Sequence, residues 1–203
     1  MIRSKTDYLA CLDADREANG RSAPCLLKKI SRILLHPLVC QDRIWQFIRL
    51  LRKTEYYKNC KQSWIYKPYY HYLKHRLCKF QLLTGFEIWP NCIGPGLYLP
   101  HAGPILINEE CKIGSRFTIN ICTVIGSHND QTPTIGDNVV VEPGAVISGG
   151  VTIADSIVIG ANSFVNKSFL EQNITIAGAP ARKIKDQGSR LPEAATAEEA
   201  RKP

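Results

Sequence analysis

The chain is poor in several things. It holds one methionine and 8% aromatic residues, and none of its apolar runs approaches the length that crosses a bilayer. The opening residues MIRSKTDYLACLDADREA carry acids and no apolar stretch of signal-peptide length. A cytoplasmic address is the expectation. There is no CxxC pair among the eight cysteines, and their spacing does not match the paired ligands of a structural zinc site. Reduced thiols and no metal are expected.

Acidic charge is scarce in one region. The formal net charge is +8, and from Asp42 to Lys79 there are ten Lys or Arg against only Asp42 and Glu55. Such a positive field attracts nucleic acid, anionic lipid head groups or phosphorylated substrates, and it equally suits solvated helix faces. No nucleic-acid module or basic-aromatic β platform accompanies it, so no nucleic-acid partner is expected.

What is present divides the chain in three. Residues 1–82 read as helical, because apolar and aromatic residues recur at three and four in IWQFIRLLRKTEYY and WIYKPYYHYLKHRLCKFQLL. Pro24, Pro37 and Pro68 punctuate this region, and an acidic first helix should end at Asn19-Gly20. From Ile93 the period becomes six: Ile93, Leu99, Ile105; Ile113, Ile119, Ile125; Ile135, Val141, Ile147, Ile153, Ile159, Val165. The blocks are joined by steps of eight (Ile105 to Ile113) and ten (Ile125 to Ile135), read as loops inserted into a regular solenoid. Glycine often follows the aliphatic, as at Gly94, Gly114, Gly126, Gly136 and Gly160, where a tight corner or positive φ is expected. No helical period fits six, whereas short strands, corners and one inward aliphatic per side make a parallel β-helix. The β-helix should occupy 83–185, and 186–203 should be a flexible tail.

The repeated [LIV]-G-x-x-x-x pattern resembles the hexapeptide-repeat acyltransferases. GFEIWPNCIGPGLYLPHAGPILINEECKIG (85–114), IGDNVVVEPGAVISGGVTIADSIVIGANSFVNKSF (135–169) and NITIAGAPARKI (173–184) resemble the catalytic, later and closing segments of serine O-acetyltransferases. The resemblance implies a mainly β fold, a left-handed parallel β-helix with an α-helical N-terminal region. It also implies a homotrimer with active sites between subunits and acetyl-CoA as acyl donor. By that resemblance His101 falls at the general base and Glu87 at its orienting carboxylate. The residues themselves agree: 14 positions apart, they lie close to one eighteen-residue coil, and a carboxylate beside an imidazole makes a base with a fixed tautomer. An alcohol needs such a base to attack a thioester at neutral pH. The alternative for a lone histidine is a plain corner residue.

The resemblance also suggests a coenzyme A groove of small residues, Gly144, Ala145, Gly160 and Ala161, with Gly178, Pro180, Arg182 and Lys183 in the closing segment, each of which also suits a plain corner. His128, in the inserted loop SHNDQTP, is a second candidate base. The pattern departs from serine acetyltransferases where their pre-histidine aspartate is Pro100 and their Arg-His pair is Gln131-Thr132. Those charges would meet an amino acid's ammonium and carboxylate, which need pairing. The expected acceptor is therefore the hydroxyl of a sugar or glycan precursor, met by Asn108, Asn120, Thr123, His128, Gln131 and Thr132. A glycan on a lipid diphosphate at the inner membrane surface would draw on the basic, aromatic N-terminal half. The alternatives are a serine O-acetyltransferase and a non-catalytic β-helix scaffold.

Overall fold

A computed structural model describes residues 1–21 and 40–189. Pro24, Pro37 and the tail from 190 onward lie outside the described residues. Helix α1 (Lys5–Ala18) starts at Ser4, whose Oγ accepts the Asp7 N–H, and stops at Asn19 with Gly20 at φ 62°, the end expected from its sequence. Helix α2 (Cys40–Cys60) follows, then a 3-10 turn (Trp64–Tyr66) and helix α3 (Lys67–Thr84). Pro68 sits in the first turn of α3, where a missing N–H costs nothing. Gly85 ends α3 at φ 76°, and a Cβ there would stand 3.1 Å from Gly103 and Pro104. The helix thus hands over directly to the first strand.

That strand opens a parallel β-helix with three faces. Face A stacks β1 (Phe86–Glu87), β2 (Ile105–Ile107), β5 (Thr123–Gly126), β8 (Val146–Ser148) and β11 (Phe164–Val165). Face B stacks β3 (Lys112–Ile113), β6 (Thr134–Ile135) and β9 (Thr152–Ile153). Face C stacks β4 (Thr118–Ile119), β7 (Val140–Val141), β10 (Val158–Ile159), β12 (Thr175–Ala177) and, antiparallel at the end, β13 (Arg182–Lys185). All twelve aliphatic anchors of the six-residue repeat are buried. They form columns, such as Ile119, Val141 and Ile159 on face C, which Ile176 continues. Each buried aliphatic contributes about 1.5–3 kcal/mol, and a rung that repeats its neighbour's shape packs without gaps.

Two details of the repeat differ from the sequence reading. On face A, Ile125 pairs with Ile107, while Ile105 pairs with Thr123. The two extra residues therefore lie between Leu99 and Ile107, in the corner that carries His101, and Ile107 to Ile113 is an ordinary step of six. The glycines after the aliphatics are not the positive-φ corners either. Those corners fall two residues further on, at Gly96, Arg116, Asn138 and Ser156, with Cys122, Gly144 and Asn162 on the next edge. Gly114 is needed for another reason: a Cβ there would lie 2.6 Å from the Gly136 carbonyl oxygen of the coil above. Asparagine tolerates the left-handed region, so the sharp corners did not require glycine.

A buried ionic cluster ties the helices to the first coil. Asp15 of α1 accepts from Arg52 Nε at 2.7 Å and Nη2 at 3.2 Å, and from the Gly96 and Leu97 N–H groups at 2.8 Å each. Arg52 also donates to Glu55 and to the carbonyls of Ile93 and Gly94. Glu55 in turn accepts the Asn91 N–H. The two carboxylates raise the Arg52 pKa against the opposing effect of burial. At the other end, Gln187, Gly188 and Ser189 stay docked on the last coils through Thr175, Asn173 and Ser156.

Candidate active site

The C-to-A corner of the first coil holds His101. Leu99 closes face C, and Pro100 to Pro104 swing outward before Ile105 re-enters face A opposite Phe86. The Ile105 N–H donates to the Gly85 carbonyl and Cys122 N–H to the Pro104 carbonyl, so the corner is pinned below and above. Gly103 is close-packed, since a Cβ there would meet the Ile121 side chain at 2.9 Å. With both ends held and two residues to spare, the middle of the corner, His101 and Ala102, is exposed. Glu87 points outward from β1, one residue past Phe86, in register with Leu106. Both residues thus stand where the first coil meets face A, and among the described residues neither side chain is hydrogen-bonded.

The remaining candidates sort onto two edges. Along the C-to-A edge, above His101, follow Asn120 and Thr123, then Gly144 and Ala145, then Gly160 and Ala161, then Gly178 and Pro180. Coils rise about 4.8 Å each, so this line of small residues runs for about 19 Å from the His101 corner. Gly144, at φ 76°, leaves no room for a Cβ beside the Asn162 side chain. Ala161 and Pro180 are exposed, whereas Ala145 is fully buried and faces the interior. Thr123 is also interior, its hydroxyl donating to the Asn120 carbonyl at 2.8 Å. Asn120 donates to the Val141 carbonyl and to Glu142. Arg182 is exposed on β13, and Lys183 is engaged by Asp186 and Glu171, which raise its pKa.

Asn108, His128, Gln131 and Thr132 lie on the opposite, A-to-B edge. Residues 128–131 form a tight hairpin: His128 and Gln131 exchange backbone hydrogen bonds of 3.0 and 3.1 Å across Asn129 and Asp130, both at positive φ. The hairpin rests on Gly149 and Gly150, where a Cβ would meet His128 Cβ at 3.4 Å and Gln131 Cβ at 2.9 Å. Below, Thr132 reaches the Glu110 carbonyl, and Asn108 donates to Ser127 while its Oδ1 caps the Glu110 N–H. Within one chain, face A separates this edge from His101 by about four extended residues, or roughly 13 Å.

The sequence reading passed over Cys122, Glu142 and Asn162, which share the C-to-A edge with the small residues. Counting eighteen residues on from Gly144 would have found Asn162, whereas Cys122 lies 22 residues before it because of the inserted hairpin. It also passed over the Asp15–Arg52–Glu55 cluster, which no local spacing announces. No group of three or more potential metal ligands occurs among the described residues. No helix among them is long and apolar enough to cross a membrane.

Residues 132–167 match the family described as bacterial transferase hexapeptide (six repeats). A serine acetyltransferase of Staphylococcus xylosus is 35% identical over 116 residues, 55% of this chain and 53% of the relative. One from Staphylococcus aureus is 34% identical over the same length, 55% and 54%. The chain thus spans about half the length of these relatives. Among solved structures, serine acetyltransferase from Brucella abortus superposes with TM-score 0.69 at 23% identity, covering 91% of this chain and 72% of that one. The same enzyme in complex with coenzyme A gives 0.68 at 26% identity, covering 92% and 71%. The chain accordingly has the fold of the serine acetyltransferases, and its coils resemble those of the hexapeptide-repeat transferases.

Proposed function

We propose that the protein is an acetyl-CoA-dependent O-acetyltransferase in which His101 is the general base and Glu87 its orienting carboxylate. The observation that carries this reading is the first-coil corner. It alone on its edge is lengthened by two residues, it presents an exposed imidazole beside a carboxylate-bearing strand, and it heads a line of small residues suited to a long thioester arm. In the step proposed, the imidazole takes the acceptor's hydroxyl proton as the oxygen attacks the thioester carbonyl. The tetrahedral intermediate collapses with loss of the coenzyme A thiolate, and the imidazolium returns the proton to that sulfur. Glu87 would hold the imidazole tautomer and stabilise the imidazolium.

The acceptor proposed is L-serine, in line with the relatives above, each named a serine acetyltransferase. The sugar or glycan acceptor expected from the sequence has no counterpart among them. Its remaining support is the uncharged set Pro100, Gln131 and Thr132, of which the last two lie on the A-to-B edge rather than beside His101. A trimer would reconcile the two edges by bringing one chain's hairpin to a neighbour's His101. Support for a subunit contact comes from face A, whose outward ladder continues from Glu87 through Leu106, Val124, Val146 and Phe164. Three of these apolar side chains are 36–40% exposed. Face B by contrast presents Lys112, Thr134 and Thr152.

The test is thiol release from acetyl-CoA by the purified protein, with L-serine and a panel of sugars. Serine-dependent release that falls about 10²–10⁴-fold in His101→Ala is the expected result. Faster turnover with a sugar would replace the acceptor. An unchanged rate in His101→Ala would remove the base, and no release with any hydroxyl would leave a scaffold.

A further inference from the structure

Between Glu55 and Glu87 the chain has six cations, Lys58, Lys61, Lys67, Lys74, Arg76 and Lys79, and no carboxylate. Lys67, Lys74, Arg76 and Lys79 lie on α3, while Lys58 is on α2 and Lys61 between α2 and the 3-10 turn. Helix α3 buries one narrow stripe, Leu73, Leu77 and Thr84. A flank about 90° from that stripe carries Tyr69, Tyr72, Arg76, Lys79 and Leu83 at steps of three and four, continuing from Ile65 of the turn in a line about 27 Å long. Apolar exposure is high on the turn and at the end of α3: Trp64 is 77% exposed, Ile65 64%, Leu82 87% and Leu83 75%. Arg76 sits over the Tyr72 ring. Glu109 shares a small cleft with Lys58 and Lys74, and among the described residues neither Arg76 nor Lys79 forms an ion pair.

We infer that this face of α3 with the preceding turn docks on the surface of an anionic lipid bilayer. Charge selects the partner. A second copy of the same face would set these cations against their like with no carboxylate to answer them, which disfavours self-pairing. The mixture selects further: tryptophan, tyrosine and leucine lie at the depth of lipid head groups, while Lys and Arg reach the head-group phosphates from the same helix. An RNA surface would use the cations and leave Leu82 and Leu83 unsatisfied. Since α3 runs straight into β1, docking would hold the first coil, with Glu87 and His101, close to the bilayer. The inference does not depend on the acyltransferase reading.

The test is co-flotation of the full chain with phosphatidylserine-rich and with purely phosphatidylcholine vesicles, at low and high salt. Retention is expected on the anionic vesicles only, weakened by salt, since each Lys or Arg near such a surface raises partitioning about fivefold. Arg76→Gln with Lys79→Gln should lower it roughly 25-fold, and Trp64→Ser with Leu83→Ser should lower it at least as far as one lost cation does. Both pairs are exposed substitutions, and an unchanged melting temperature checks the fold. No retention on anionic vesicles at low salt overturns the inference, as does equal retention on neutral ones. Retention insensitive to both variant pairs, or loss by the charge pair only together with tight single-stranded RNA binding, overturns it as well.

Discussion

Replacing Asp15 with alanine removes one carboxylate that answers four donors. Arg52 Nε and Nη2 and the N–H groups of Gly96 and Leu97 all point at it, in a site where Asp15 is 0% and Arg52 1% exposed. Water cannot enter to replace it without opening the contact between α1 and the first coil. Arg52 keeps Glu55 and two carbonyls, so its charge stays partly paired, but two buried N–H groups are orphaned. Breaking a buried ion pair costs about 3–5 kcal/mol and an orphaned buried donor about 1–3. Because these overlap, a loss of about 4 kcal/mol is expected, a large share of an ordinary 5–15 kcal/mol stability. The measurement is urea unfolding of Asp15→Ala against the unsubstituted chain at one protein concentration, so that any subunit equilibrium is held fixed. Adding Arg52→Met should deepen the loss, because it leaves Glu55, 2% exposed, buried without its cation. A loss below about 1 kcal/mol, the scale of an exposed ion pair, would refute the reasoning.

Glu87→Gln should lower kcat about tenfold or more with little change in KM for acetyl-CoA, read in the thiol-release assay, since in the proposed mechanism it would orient the base rather than the donor. Gly114→Ala should lower stability by about 1–3 kcal/mol in thermal melts, because its Cβ would press on the next coil's backbone. Burial pushes the Cys11 and Cys92 thiols up to about 12 and Cys111 to about 11. At pH 8 an alkylating reagent should label the exposed Cys78 and Cys122 first, mapped by peptide mass, and spare those three. Their linkage has a definite sign. The folded thiols keep protons that the unfolded chain releases above its ordinary value of 9.0, so stability should fall as pH rises from there toward 12 and be untouched below it. A melting temperature that is flat or rising over that range would contradict the burial.

The β-helix was legible because its repeat is local. An inward aliphatic every six residues meets the same aliphatic one coil away, so periodicity in sequence becomes a column in space. The end of α1 at Asn19-Gly20 was legible for the same reason, being set by residues in contact along the chain. The glycine corners were misjudged because a close approach and a positive φ both favour glycine, and only the neighbouring coil tells them apart. Gly114 answers to Gly136, whereas Asn138 takes the turn itself.

What the sequence by itself determined is therefore the solenoid and its aliphatic core, together with the presence of an imidazole and a carboxylate about one coil apart. The tertiary structure decided the rest. It moved the two-residue insertion from the corner after Ile105 to the His101 corner, through the pairing of Ile107 with Ile125. It put Ala145 and Thr123 in the interior and set the His128 hairpin on the far edge from His101. It joined Asp15 to Arg52 across 37 residues. Register, burial and ion pairing depend on which coil or helix lies alongside, and the chain reaches those neighbours only by folding.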